Sequence, residues 1–98
     1  MSSKFKYVSY LWDDAKAAQN FRAHDVTFDT ACGVFRDPFV LGWIDTRQDY
    51  GEDRYAAIGM VHGRLYCVAY TMRGERMRII SARGAEAYEK RKYHEESD

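Results

Sequence analysis

Three strand-like runs lie almost end to end between residues 54 and 83: RYAAIGMV, RLYCVAYTM and RMRIISAR. His62-Gly63 joins the first two and Gly74 lies at the second joint, so both connections are tight turns and the runs must be antiparallel neighbours. A chain with this meander builds its fold around a sheet. FKYVSYL at 5–11 and FVLGWI at 39–44 have the aromatic and β-branched content of two more strands.

Two helical patterns separate those outer strands. Asp13 is an N-cap candidate for the first, in which Ala17 and Phe21 share an apolar face beside a polar stripe of Lys16, Asn20 and His24. The second starts at Thr27, with Asp29 in its dipole-favoured first turn, and Phe28, Ala31, Cys32 and Phe35 make a core-facing stripe. Asp37-Pro38 ends it. A polar helix begins near Ala85, with Ala85, Glu89 and Tyr93 one turn apart. The order β-α-α-β-β-β-β-α predicts one α+β domain over residues 1–98. In it an antiparallel sheet carries the two early helices on one face, and a C-terminal helix follows.

Formal net charge is zero, but its distribution is uneven. Residues 37–53 hold five acids and one base, a balance of −4, whereas residues 64–83 hold five arginines and one acid, a balance of +4. A neutral chain can therefore present a basic patch. No apolar run reaches the roughly 20 residues that span a bilayer, and MSSKFKYVSY lacks a signal-peptide core, so no membrane role is expected. Cys32 and Cys67, in apolar settings, are expected to be reduced core residues of a cytoplasmic protein. Neither metal-ligand spacing nor a phosphate- or dinucleotide-binding glycine loop is present, and no cofactor is expected.

Strand alternation assigns the arginines to faces. Arg76, Arg78, Ile80 and Ala82 fall on one side; Met77, Ile79, Ser81 and Arg83 fall on the other. In the preceding strand Leu65, Cys67 and Ala69 suit packing against helices, leaving Tyr66, Val68 and Tyr70 for a partly wet face. Solvated arginines with buried stems are one reading of this pattern. The other is an anion-binding face, with forked guanidinium groups on phosphates and aromatic rings under bases, which suits single-stranded RNA better than a small acid.

The order of motifs then becomes recognisable. WDDAKAAQNFRAHDVTF (12–28) is followed by Ala31, Val34-Phe35 and Asp37-Pro38, by Glu52 and Arg54, by Ile58-Gly59, and by Tyr70-Thr71 through RIISAR to Glu89 and Tyr93. Over about residues 5–93 this resembles the BrnT family of type II toxins. The resemblance implies a RelE-like fold and a metal-independent ribonuclease that halts translation. It also implies a BrnA-like antitoxin partner in a heterotetramer, with operator DNA reached only through that antitoxin. Where the family usually has His-Gly-Val, this chain has His24-Asp25-Val26. Asp is one of the better substitutes in the left-handed position a glycine would fill.

Metal-free RNA cleavage needs a base for the 2′-hydroxyl, cations for the phosphorane and an acid for the leaving oxygen. Arg78 and Arg83 lead as phosphate stabilisers, supported by Arg54, with Lys16 as a further cation and His24 as acid or base. Arg73, Arg76, Tyr70 and Asn20 are expected at the substrate. Bland roles compete with these: a helix-end histidine, a solvated lysine, a packed tyrosine, and Glu52 as an ion-pair partner of Arg54 rather than a base. A homologue that binds RNA or acts as co-repressor without cleaving is the alternative function.

Overall fold

Side-chain caps start both early helices. Asp13 accepts the Lys16 N–H at 3.1 Å to open α1 (Asp14–His24), and Thr27 accepts the Thr30 N–H at 3.1 Å to open α2 (Phe28–Val34). Between them Asp25 takes the left-handed conformation, φ 57°, and returns its N–H to the Phe21 carbonyl. The chain bridges this turn with an aspartate where glycine would be unstrained. These features come from a computed structural model that describes residues 9–47 and 49–97. The first strand, β1 (Ser9–Leu11), is the described end of the 5–11 run, whose earlier residues lie outside the described range.

The remaining elements are β2 (Leu41–Ile44), β3 (Tyr55–Val61), β4 (Arg64–Arg73), β5 (Arg76–Gly84) and α3 (Ala87–Ser97), giving an α+β fold. Sheet order is β1-β5-β4-β3-β2. His62 and Gly63, both at positive φ (49° and 81°), form the two-residue β3–β4 turn, whose twist matches the strands it joins. One expectation needs correction: β1 runs parallel to β5, so the sheet is mixed rather than wholly antiparallel. Only directly joined strands are forced antiparallel, and residues 12–75 separate β1 from β5.

The main core lies between the sheet and α2. Phe28, Ala31, Val34 and Phe35 pack against Ala57, Tyr66, Val68, Tyr70, Met77, Ile79 and Ala82. At Gly59 a Cβ would meet the Val34 carbonyl oxygen at 2.6 Å, so glycine lets α2 lie flush on β3. The expected assignment of β4 faces is therefore reversed. Tyr66 and Tyr70 are buried under the early helices, while Leu65 and Cys67 turn to the opposite face and pack with Ala56, Ile58 and Tyr93. Ring area decided this: the large tyrosines fill the deeper layer, as Tyr70 does between Phe35 and Tyr55 at centroid distances of 5.1 and 5.3 Å.

Parity in β5 is corrected too. Ala69 pairs with Ser81 but Tyr70 pairs with Ile79, so Ile80 is an extra residue, a β-bulge. The bulge shifts alternation by one. Thr71 opposes Arg78 and Cys67 opposes Arg83, which puts Arg78 and Arg83 on the same face, with Arg76 and Ser81. Two adjacent isoleucines give no sequence sign of which one is extra.

The polar side of α1 is also not what its pattern suggested. Asn20 is buried, whereas Phe21 is half exposed. Beyond Leu11 no strand among the described residues lies beside the outer edge of β5, and Asn20 occupies that edge. Its side chain donates to the carbonyls of Ala82 and Val26 (both 2.9 Å) and accepts the Ala82 N–H at 3.0 Å. Helix α3 is pinned at two points. Glu89 bonds Arg83, and Tyr93 donates to Asp37 at 2.7 Å, an aspartate that also accepts the N–H groups of Met60 and Phe39. No helix among the described residues is long and apolar enough to cross a membrane.

Candidate functional site

Helix α3 covers one half of the sheet face that carries Leu65 and Cys67. The other half carries arginines. Arg73 and Arg76 are direct cross-strand partners beside the β4–β5 turn, and Arg78 follows on the same side of β5. Like charges directly opposite in a ladder destabilise it, so a fold indifferent to anions gains nothing from the Arg73–Arg76 pair.

Glu52 forms ion pairs among these cations. It lies 3.2 Å from Arg73 Nη2 and 3.6 Å from Arg54 Nε, so it serves two arginines and is held as an ion-pair partner. Arg54 also stacks over the Tyr50 ring at 4.3 Å, and its Nε is buried without a hydrogen bond. Thr71, opposite Arg78, donates to the Asp53 carbonyl at 2.6 Å and ties the 50s loop to the sheet. Arg78 is half-buried and has no ion pair among the described residues.

Arg83 stands further along the same face, where Glu89 holds it. Nη1 and Nη2 donate to the two Glu89 oxygens at 2.7 and 3.0 Å, and the Glu86 N–H donates to the same carboxylate at 2.8 Å. Burial works to raise the Glu89 pKa, but these bonds outweigh it and hold the carboxyl below its usual range. The same bonds push Arg83 upward, so both groups are charged. This partnership was invisible in the sequence, where Glu89 read only as one member of a weak helical stripe.

Lys16 and His24 sit apart from the arginines on exposed turns of α1. With Asn20, Ile80 and Ser81 they line a shallow depression of about 270 Å³ at the α1–β5 junction. Ser81 belongs to both places, since it stands on β5 between Arg78 and Arg83. Two expected substrate contacts sit in structural positions instead. Tyr70 is buried in the main core, where burial pushes its hydroxyl up to about 12, and all the Asn20 bonds go to backbone. Among the described residues, no three His, Cys, Asp or Glu side chains are grouped so as to hold a metal ion.

The arrangement is thus a row of guanidinium groups on one sheet face, with an amine and an imidazole at its edge. Such a surface can bind and polarise a phosphodiester. No curated protein matched the sequence. The family model described as the ribonuclease toxin BrnT of type II toxin-antitoxin systems matches residues 12–89, most of the chain. This protein belongs to the BrnT family of type II toxin-antitoxin ribonuclease toxins.

Proposed function

We propose that this chain is a metal-independent endoribonuclease of RelE-like architecture that acts in the cytoplasm and halts translation. The observation that carries the proposal is the placement of Arg73, Arg76, Arg78 and Arg83 on one sheet face, made possible by the Ile80 bulge. In the reaction the 2′-oxygen of a ribose attacks the adjacent phosphorus as its proton passes to a base. The P–O5′ bond breaks, an acid protonates the leaving oxygen, and the products are a 2′,3′-cyclic phosphate and a 5′-hydroxyl. Arg78 and Arg83 stabilise the phosphorane, with Arg54 and Arg73 contributing field, and Arg76 binds the flanking backbone. Lys16, beside Ser81, adds a further cation, and His24 on the same helix transfers a proton as acid or base.

A BrnA-like antitoxin neutralises the toxin in a heterotetramer, and operator DNA is reached through that partner. The acidic loop from Asp45 to Asp53 offers a basic partner segment a docking place. The test is induction of the wild-type protein, followed by incubation of purified protein with RNA in EDTA. Growth arrest and EDTA-resistant cleavage leaving cyclic phosphate ends are expected. A wild-type protein that neither arrests growth nor cuts RNA overturns the proposal in favour of a non-cleaving partner protein.

A further inference from the structure

A guanidinium group has five N–H donors in one plane. Arg83 uses three: Nη1 donates to Glu89 Oε1 and to the Gly84 carbonyl, and Nη2 donates to Glu89 Oε2. The Nε–H and the second Nη2–H remain. They lie parallel along the side-on edge, have no partner among the described residues, and Nε is not among the buried unbonded atoms. The Arg83 side chain keeps 31% of its surface exposed, against 2% for Glu89. Arg47 makes the opposite choice and gives its Nε and Nη2 to Asp45, which uses up the edge that Arg83 keeps.

We infer that Glu89 is a positioning residue. It grips Arg83 by the Nη1–Nη2 edge so that the Nε–Nη2 edge is fixed outward as a two-donor receptor for two oxygens of an RNA phosphate. The inference rests on the ribonuclease reading and adds to it a residue from α3 that never touches substrate. Bidentate forks match phosphate geometry, and a fork already held in place loses less freedom on binding than a mobile one. Docking of α3 alone does not call for this pair, because Tyr93 pins the helix separately through Asp37. A buried ion pair is also a weak source of net stability compared with apolar packing.

The test compares Glu89→Gln, which keeps shape but loses charge, with Tyr93→Phe, which loosens the same helix without touching Arg83. In EDTA, with a short RNA substrate, Glu89→Gln is expected to lower kcat by about 10²-fold while KM changes by less than about threefold. Tyr93→Phe should keep wild-type kcat. Equal losses in the two variants would overturn the positioning role and leave only helix docking. A second reading avoids both variants: the Arg83 Nε–H resonance of the wild type, followed while a 2′-O-methyl RNA that cannot be cleaved is added. That resonance should shift; saturation without a shift overturns the receptor edge. Failure of the wild type to cleave would count against the ribonuclease reading, and the titration would still decide whether Arg83 receives phosphate.

Discussion

The two faces of the sheet use the same strands in opposite ways. Under α2, Tyr66, Val68, Tyr70, Met77, Ile79 and Ala82 form a dry layer in which side-chain volume matters most. On the other face, beyond the reach of α3, the same strands present Arg73, Arg76 and Arg78 to solvent, with one acid shared between Arg73 and Arg54. The first face stabilises the fold. The second sets like charges opposite one another, a repulsion that Glu52 offsets in part and that a bound anion would offset further. The difference depends on one residue, since without the extra Ile80 one of Arg78 and Arg83 would point into the apolar layer.

The separation of roles can be broken most directly by a matched pair of substitutions. Ile79→Ala, on the dry face, should destabilise the protein by about 2–5 kcal/mol in chemical denaturation while leaving cleavage per folded molecule intact. Arg78→Ala should do the reverse, keeping the unfolding midpoint but lowering kcat by about 10²–10³-fold, or about 2.7–4 kcal/mol of transition-state stabilisation. If the two effects failed to separate, the division of labour between faces would be wrong.

At the sheet edge, Asn20→Ala leaves the Ala82 N–H and carbonyl unmet, at about 1–3 kcal/mol for each buried group left without a partner. Faster hydrogen exchange at the Ala82 amide would show where the loss occurs.

The buried groups also set a pH limit. Burial pushes Cys32 up to about 11 and Cys67, Tyr70 and Tyr93 up to about 12, from ordinary values of 9.0 for thiols and 10.0 for phenols. The unfolded chain therefore releases these protons at lower pH than the folded one. Their contribution is constant below about pH 9 and is lost as pH rises towards about 12, visible as a falling denaturation midpoint. The smallest expected change is at Asp25, whose φ of 57° suits glycine: Asp25→Gly should stabilise by about 0.5 kcal/mol, read as a small rise in melting temperature.

Much of this fold was legible in residue patterns. The cap at Asp13, the helix start at Thr27, the Phe28–Phe35 stripe and the His62-Gly63 turn each follow from local chemistry, and each agrees with the final structure. What sequence could not show depended on pairings between distant residues. The bulge is a property of β4 and β5 together, and the reversal of the tyrosine face followed from which layer had room for rings. The direction of β1 was free until it met β5. At the candidate site the arginines stood out as residue types, and Glu52 was foreseeable from its nearness to Arg54. Glu89 was not, because its partner Arg83 precedes the helix and only the turn of the chain at Gly84–Glu86 brings them together.

The central claim is that RNA lies on the arginine face, and amide resonances can locate it. A 2′-O-methyl RNA titrated into isotope-labelled protein should shift Ala69, Thr71, Arg78 and Ser81, with smaller changes along α1 near Lys16 and His24. Shifts confined to α2 and the outer edge of β2, with β5 unperturbed, would contradict the account.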